Sequence, residues 1–409
     1  MRTEAANQPD SRPDLFRAGL PTRFASWFRE KGWQLYPHQQ DMLDRAKAGD
    51  PVLLIAPTGA GKTLSGFLPS LLELAERPPP HLHTLYISPL KALAVDIARN
   101  LTGPVAEMGL AVRIESRTGD TPANRRARQR HTPPHILLTT PESLELMLAW
   151  PEAADWFAGL QTVIIDEIHT LAGNKRGDLL SLSLAVLRSL APQARFVGLS
   201  ATLADPAQMT GWLHPEKERV AVLAPPLEKQ MQLSVYMPAD QEIPWAGHSC
   251  LWAVPEIYRQ IEAHKTSLIF VNTRAQAEML FQALWQINEK GLKIGLHHGS
   301  LATGQRRKTE AAMAAGKLDA VVATSSLDLG IDWAEIDLVM QVGAPKGTAR
   351  LIQRMGRAGH QLNAVSRAII FPANRFEIFV ALAAQQTVQD RELERLAEQP
   401  GALDVLAQH

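Results

Sequence analysis

Short apolar runs alternate with helical segments along most of the chain. The first half holds five such runs, each rich in Leu or β-branched residues and each ending in Pro, Thr, Asp or Glu. Continuous apolar strands separated by helices are typical of a parallel sheet covered by helices on both faces. The runs are VLLIAP (52–57), TLYISP (84–89), ILLTTP (136–141), TVIIDE (162–167) and RFVGLSAT (195–202). Helical patterns between them predict helices over Lys62–Glu76, Leu90–Asn100 and Arg176–Leu190.

Residues 224–247 interrupt this alternation with four prolines and predict a linker with room for one strand. The pattern then restarts in SLIFVNT (267–273), KIGLHHG (293–299), DAVVATSS (319–326), DLVMQVG (337–343) and SRAIIFP (366–372). We therefore predict an α/β protein with two tandem domains, each a mostly parallel sheet covered by helices on both faces. The expected boundaries are a tail at 1–13, a first domain at 14–226, a second at 227–384 and a linker with the start of another helix at 385–409.

Composition narrows the class of protein. Of 409 residues, 45% are hydrophobic and 21% are charged, which excludes a disordered or fibrous chain. The 42 basic and 42 acidic residues cancel, so overall charge gives no indication of a polyanionic partner. A single cysteine, Cys250, excludes a disulfide framework and favours a reducing compartment. No apolar run approaches the roughly 18 residues of a membrane-spanning helix, so we expect no membrane association and a cytoplasmic location.

The first apolar run leads directly into the segment APTGAGKT (56–63), and a helix follows. This strand–loop–helix placement is typical of a P-loop, in which backbone N–H groups and the helix N-terminus surround a phosphate. Lys62 would contact the β- and γ-phosphates of ATP, and Thr63 would bind Mg²⁺. The usual first glycine is replaced by Ala56. The residues expected to bind the nucleotide here are Thr58, Gly59, Ala60, Gly61, Lys62 and Thr63.

A second candidate site is the DEIH segment (166–169), which ends the most apolar strand. Asp166 would hold Mg²⁺, mostly through water, and Glu167 would polarise the attacking water. An acidic pair at this position is also common as a helix cap. Because ligands of such sheets bind at the carboxyl ends of the strands, we expect Asp166 to lie close to Lys62.

Four motifs in this order, PTGAGKT, DEIH, SAT (200–202) and QRMGRAGH (353–360), resemble superfamily 2 helicases of the DEXH-box type. The resemblance extends from Leu35 to about Phe371. In more detail, the chain resembles helicases of the Lhr (large helicase-related) type. The IPWAGH segment (243–248) and the PGALDVLAQH ending resemble the bacterial ligase-associated DEXH-box helicases. The further matching segments are SPLKAL, TGD, TTPESL, FVNTR, HHGSL and VATSSLDLGIDW. The resemblance implies two RecA-like domains that hold ATP and Mg²⁺ between them, and a winged-helix domain that would begin in 385–409.

The resemblance also implies roles for single residues. Gln39 would read the adenine edge, which suits an amide that both donates and accepts. Arg357 would act as an arginine finger on the γ-phosphate, and Gln353 would contact that phosphate or its water. Gly330 and Asp332 would touch the ribose and couple the two domains.

One departure from the family pattern lies near these residues. Many relatives have a second arginine where this chain has His360. The resemblance therefore implies one arginine finger and leaves the role of His360 open.

A nucleic-acid track is implied across both domains. Its residues are small, hydroxyl-bearing or backbone-exposing, which suits contacts to phosphate and sugar that do not read sequence. They are Pro89, Lys91, Thr118, Gly119, Thr139, Pro141, Glu142, Thr273, Arg274, His298, Gly299 and Thr324. Residues 113–131 add six arginines against two acids. Such a run is usually a solvated helix face, but its place between TGD and TTPESL favours an edge that contacts phosphates.

These observations predict an ATP-driven translocase and helicase that moves along single-stranded nucleic acid as a monomer. The resemblance implies single-stranded DNA or an RNA–DNA hybrid as the track. The family implies 3′-to-5′ movement and DNA repair, with a DNA ligase or a nuclease as partner. One alternative is a nucleic-acid-stimulated ATPase that binds or remodels but does not unwind, because relatives have further domains. The other is a nucleotide-binding switch or scaffold, against which Lys62, Glu167 and Arg357 argue.

Overall fold

The structure is a computed structural model. It describes residues 19–57, 59–201, 203, 205–225, 230–240, 242–328, 336–358, 365–390 and 401–409. The expected tail and several expected functional positions lie outside these ranges, namely Thr58, Thr202, Gly330, Asp332 and His360.

The first half of the chain folds into one seven-stranded sheet in which every pairing is parallel. Its strands are β1 (Val52–Ile55), β2 (Thr84–Ile87), β3 (Ile114–Arg117), β4 (Ile136–Thr139), β5 (Thr162–Ile165), β6 (Arg195–Ser200) and β7 (Ala221–Leu223). The strand order is β3-β4-β2-β5-β6-β1-β7. The carboxyl ends of β5, β6 and β1 are therefore neighbours, because β6 lies between the other two.

Helices connect these strands and cover the sheet. They are α1 (Thr22–Glu30), α2 (Pro37–Ala48), α3 (Lys62–Glu76), α4 (Lys91–Glu107), α5 (Ala123–His131), α6 (Pro141–Leu148), α7 (Ala153–Phe157), α8 (Ile168–Leu171), α9 (Lys175–Leu190) and α10 (Ala207–Leu213). Alternate strand residues enter two separate cores, with Leu54 and Ile164 in one and Leu53 and Val163 in the other. This division onto two faces is why the strands are apolar throughout rather than alternating with polar residues.

The second half forms a six-stranded parallel sheet with the order β10-β11-β9-β12-β13-β8. Its strands are β8 (Met231–Val235), β9 (Ser267–Val271), β10 (Ile294–His297), β11 (Ala320–Ala323), β12 (Leu338–Val342) and β13 (Ser366–Phe371). Its helices are α11 (Val254–Ala263), α12 (Arg274–Gln286), α13 (Thr303–Ala314), α14 (Thr348–Met355) and α15 (Arg375–Asp390). Two buried clusters again cover the two faces, so the predicted pair of RecA-like sheets is confirmed.

The sequence pattern missed two strands, β3 and β7, and both are edges of the first sheet. An edge strand is packed on fewer sides, so it needs no continuous apolar run: β3 reads Ile-Glu-Ser-Arg. One predicted helix was too short. Helix α4 continues past Asn100 through Gly103 and Pro104 because Leu101 and Val105 are buried in the core.

The predicted boundary after residue 384 falls inside α15, which continues to Asp390. The last described helix, α16 (Leu403–Gln408), lies against the first sheet's helices. Asp404 pairs with Lys175, and the His409 imidazole lies 2.7 Å from a carboxylate oxygen of Glu145. No helix among the described residues has the length and apolar character to cross a membrane.

The packing of α9 against the end of α8 makes a testable prediction at Gly177. A β-carbon there would lie 1.9 Å from the Leu171 carbonyl oxygen and 2.9 Å from the Trp212 ring. We expect Gly177→Ala to lower the free energy of unfolding by at least about 1–3 kcal/mol, the usual range for overpacking. The thermal unfolding midpoint is the measurement.

Gly103→Ala is the matched control, because Gly103 is inside helix α4 and a β-carbon there would have no other atom within 4 Å beyond its own helix backbone. Alanine is the better helix former, so this variant should unfold at the same temperature as the wild type or higher. Equal midpoints for the two variants would contradict the close contact at Gly177.

Candidate nucleotide site and nucleic-acid track

The loop after β1 has the backbone that a phosphate-binding loop needs. Gly59 and Gly61 have φ angles of 87° and 69°, in the left-handed region that favours glycine. A β-carbon on Gly61 would lie 2.8 Å from Nε2 of Gln39. The imidazole Nε2 of His38 lies 2.9 Å from the carbonyl oxygen of Ala60. Helix α2 therefore supports the loop from one side.

Lys62 begins α3 and its ammonium donates to Oε1 of Glu167 at 2.9 Å. Both residues are buried, 8% and 9% exposed, so each charge depends on the other for compensation. Burial works to raise the pKa of Glu167, but the charge and hydrogen bond of Lys62, together with contributions from His169 and Arg357, outweigh it and the pKa is lowered. Glu167 is therefore a carboxylate that can accept a proton. The expected proximity of the DEIH segment and Lys62 is present.

The backbone at Glu167 is unusual, since its φ of 48° is rare for a residue with a side chain. This turn directly follows β5 and begins the short helix α8. Left-handed non-glycine residues are concentrated at functional sites, where the surrounding structure holds them.

Asp166 is held by a residue that no sequence motif singles out. The hydroxyl of Tyr86, on β2, donates to Oδ2 of Asp166, and the backbone N–H of Glu167 donates to Oδ1 at 2.9 Å. Burial raises the pKa of Asp166 to about 6. Tyr86 is fully buried against Phe67. In the sequence it is one more apolar position of a strand, so no pattern marks it.

The carboxylates fit a divalent cation. Oε2 of Glu167 is buried and has no hydrogen-bond partner among the described residues, and the nearest histidine nitrogen, on His169, is 3.6 Å away. An oxygen left open in this way suits a water or an ion. The described residues contain no group of three or more acidic, His or Cys side chains that could hold a metal. A bound Mg²⁺ would therefore take most ligands from water and phosphate, and its expected contacts with Thr63 and Asp166 stay a prediction.

The SAT segment contacts the DEIH segment directly. The hydroxyl of Ser200, at the end of β6, lies 2.9 Å from Nδ1 of His169. Burial lowers the pKa of His169, which favours a neutral ring. The contact joins the two strand ends that lie side by side in the sheet.

Gln39 is buried and its amide is already bonded within the protein. Oε1 accepts from the N–H of Tyr36 at 3.0 Å, and Nε2 donates to the carbonyl of Gly61 at 3.4 Å. The first bond completes a capping box at the start of α2. The structure thus connects Gln39 to the P-loop, and its expected contact with adenine stays a prediction.

The second sheet contributes a buried arginine pair. Arg357 donates from Nη2 to the carbonyl of Asp328 at 2.8 Å. Three residues earlier, Arg354 makes two hydrogen bonds to the Asp328 carboxylate, at 2.7 and 3.0 Å, and a third to Gln341. The sequence pattern did not single out Arg354, although it lies in the same motif. It fixes the backbone that Arg357 bonds.

The positive charge of Arg357 is one contribution to the lowered pKa of Glu167 in the first sheet. Gln353 lies in α14 and is buried. The structure therefore brings together Lys62, Glu167 and Arg357, from motifs that are nearly three hundred residues apart in sequence.

The expected track residues of the first sheet follow the carboxyl ends of β2, β3 and β4. Most of their side chains have partners within the protein: Lys91 pairs with Asp120 at 3.0 Å, and Glu142 pairs with Arg176. Arg176 also donates to the carbonyl of Pro89 at 2.8 Å. The described side chains in this set are Pro89, Lys91, Thr118, Gly119, Thr139, Pro141 and Glu142.

Thr139 is fully buried, and its hydroxyl donates to the carbonyl of Arg117 at 2.8 Å. In this structure it supports the loop that begins at Thr118 and does not reach the surface. Its expected contact with nucleic acid stays a prediction, as do the contacts of the other track residues.

In the second sheet the expected track residues follow β9, β10 and β11. The Thr273 hydroxyl accepts from the N–H of Gln276 and caps α12. His298 is buried, with Nδ1 accepting from the N–H of Ser300 at 3.3 Å and Nε2 lying 3.2 Å from Glu278. The remaining members are Arg274 and Gly299, which lie next to each other, and Thr324.

Comparison with known proteins agrees with this arrangement. Residues 36–210 match the family DEAD/DEAH box helicase, and residues 251–361 match the family helicase conserved C-terminal domain. The "Lhr helicase/ probable uracil glycosylase" of Mycolicibacterium smegmatis is 37% identical over 94% of this chain and 28% of its own length. The "ATP-dependent helicase Lhr-Core" of Methanocaldococcus jannaschii is 35% identical over 94% of this chain and 47% of its own.

The chain belongs to the Lhr type of superfamily 2 helicases.

A solved structure of this helicase type shares the fold. The Mycobacterium smegmatis Lhr helicase, solved with ssDNA and AMP-PNP, has a TM-score of 0.85 and 38% identity over 95% of this chain and 52% of its own. The present Lhr-type chain thus spans about half the length of that protein and less than half of the two curated relatives. The closer resemblance to ligase-associated helicases stays a prediction.

Tyr86→Phe tests the hydroxyl that holds Asp166 in this Lhr-type site. The variant keeps the ring but removes a donor that favours the charged carboxylate, so Asp166 should bind Mg²⁺ less well. Hydrogen bonds to charged groups are worth about 1.5–3 kcal/mol, so we expect the Mg²⁺ concentration needed for binding a fluorescent ATP analogue to rise roughly tenfold or more.

Tyr258→Phe is the control, because its hydroxyl donates to Asn288 at 3.2 Å, away from the candidate site. It should leave the Mg²⁺ titration unchanged. A Tyr86→Phe protein that titrates like the wild type would show that the phenol does not position Asp166.

Proposed function

We propose that this chain is an ATP-driven motor that binds single-stranded DNA and unwinds duplexes by moving along one strand. ATP would lie between the two RecA-like sheets. The observation that carries the proposal is the convergence of Lys62, Glu167 and Arg357, two from the first sheet and one from the second. The AMP-PNP and ssDNA of the M. smegmatis Lhr structure support the same choice of ligands.

In the proposed site the ammonium of Lys62 has two competing acceptors. It bonds Glu167 in this structure, and the β- and γ-phosphates of ATP would be stronger acceptors because they carry more charge. Transfer of Lys62 to the phosphates would release the Glu167 carboxylate to orient water and take its proton. Nucleotide binding would in this way switch the base from a paired to an active arrangement.

The other residues would bind and orient. Backbone N–H groups of the loop at Gly59–Gly61 would surround the phosphates, with Gln39 reading adenine. Arg357, supported by Asp328, would stabilise charge on the γ-phosphate, and Gln353 would hold that phosphate or its water. Mg²⁺, held by Thr63 and Asp166, would supply neutralisation of phosphate charge.

Movement would follow from the way the two sheets share the nucleotide. Arg357 belongs to the second sheet and Lys62 to the first, so binding and hydrolysis of ATP would alternately close and open the space between them. The Ser200–His169 contact would transmit the state of Glu167 to β6. Contacts along the track to phosphate and sugar would be weak and independent of sequence, which allows stepwise release.

The first test is ATP turnover with and without single-stranded DNA. We expect DNA to stimulate turnover in the wild type. Lys62→Ala should abolish ATP turnover. Glu167→Gln should lower the turnover rate by about 10²–10⁴-fold, the range for loss of a general base, and this variant should still bind ATP.

The adjacent exposed residues at positions 217 and 218 provide the controls Lys217→Ala and Glu218→Gln, which should behave like the wild type. Turnover that is insensitive to DNA and to both site variants would refute the proposed motor.

A strand-displacement assay separates the motor from the alternative, a DNA-stimulated ATPase that does not unwind. Displacement from a duplex with a single-stranded tail supports the motor; hydrolysis without displacement supports the alternative. Comparing 3′-tailed with 5′-tailed duplexes tests the 3′-to-5′ direction, which rests on resemblance alone, as do the role in DNA repair and a ligase or nuclease partner.

A further inference from the structure

A cavity of about 730 Å³ lies at the outer edge of the first sheet, between α4, β3 and α5. Val105 and Ile114 contribute apolar surface, and Arg113, Arg125 and Arg128 contribute guanidinium groups. In the strand order β3 is five places from β1. With strands about 4.8 Å apart, the cavity is roughly 24 Å from the P-loop strand. It is therefore separate from the nucleotide site.

The arginines around this cavity exceed the acids that face them. Glu115 is the shared acceptor for Arg125, Arg128 and Gln129, all on one oxygen at 2.6–3.2 Å. One carboxylate thus balances two arginines. Arg130 pairs with Glu152 on α5's other side.

Three further arginines of the same run have no carboxylate partner among the described residues. The guanidinium of Arg113 donates to the carbonyl of Pro133, at 3.0 Å. Arg117 lies over the Trp150 ring and donates to the carbonyl of Arg126. Arg126 is exposed. Six arginines therefore face two carboxylates in a protein whose total charge is zero.

This arginine edge, residues 113–130, is continuous with the expected track. Strand β3 ends at Arg117 and leads into Thr118 and Gly119, and α5 begins four residues later at Ala123. A nucleic-acid strand that enters or leaves the track at this loop would pass directly over the positively charged surface of the arginine edge. Gln129 also donates to the carbonyl of Ser116, so α5 covers part of the edge strand. A peptide that added to β3 as a further strand would therefore be obstructed where α5 covers β3.

We propose that the arginine edge is a second nucleic-acid contact, which binds phosphates of the single strand just outside the track. This rests on the proposed function. Guanidinium groups match phosphate geometry, and an apolar floor beside them can accept a base by stacking. The site would lengthen the bound strand without reading its sequence. It would also give an otherwise neutral chain the local charge that a polyanion requires.

The test compares Arg113→Gln/Arg126→Gln with the wild type on oligothymidines of increasing length. Neither residue pairs with a carboxylate among those described, so the double variant should fold normally. On the shortest oligonucleotides that bind, both proteins should have equal affinity. On longer ones the variant should bind more weakly, and its log affinity should depend less steeply on log salt, by about 1.4 for two phosphates at 0.7 each.

Lys217→Gln/Arg219→Gln is the control, since it removes the same two positive charges from exposed residues beside β7, at the opposite edge of the sheet. It should match the wild type at every length. A double variant that also matches the wild type at every length overturns the proposal and leaves an acidic protein segment as the partner to examine. An equal loss on short and long oligonucleotides overturns it as well. If the wild type binds no oligonucleotide at all, the proposed function fails first.

Discussion

The buried ion pair between Lys62 and Glu167 is the interaction on which the first domain's site depends. A charge in a protein interior needs a partner and further hydrogen bonds, or it is costly. Sheet order meets this requirement: β5, β6 and β1 end side by side, and each delivers one polar loop to the same place. The glycines of the P-loop, the left-handed turn at Glu167 and the Ser200–His169 contact all follow from that geometry.

The second sheet also contains a buried charge that is compensated by neighbouring groups, but the residues differ. Arg354 is buried between the Asp328 carboxylate and the side chain of Gln341, and its guanidinium lies 4.3 Å from the centre of the Phe270 ring. Because these contacts hold its guanidinium on several sides, the start of the arginine motif is fixed in position. Arg357 bonds the backbone carbonyl of the same aspartate, and its positive charge contributes to the lowered pKa of Glu167 in the other sheet. One arginine of the motif thus holds the aspartate whose backbone the next arginine bonds.

Much of this could be predicted from sequence, for reasons that also explain the failures. Central parallel strands are apolar on both faces, so they were visible, whereas the edge strands β3 and β7 were not. The P-loop and DEIH segments were recognisable because strand–loop–helix order and residue type together restrict their chemistry. Tyr86 was invisible, since a buried tyrosine that donates to a carboxylate has the same pattern as one that only packs. The hydrogen bond from Gln39 to the carbonyl of Gly61 could not be predicted from the sequence, because it depends on the folded backbone of the loop.

The unequal distribution of charge has a consequence for how this molecule meets other molecules. With a total charge of zero, it exerts almost no net attraction on a distant polyanion. Its arginine-rich edge must be balanced by acidic surface elsewhere, which makes the molecule a dipole. A dipolar protein rotates in the electric field of a charged nucleic-acid strand before the strand attracts it. The electrostatic field of a dipole also decreases faster with distance than the field of a net charge. Orientation would therefore precede capture, and only at close range.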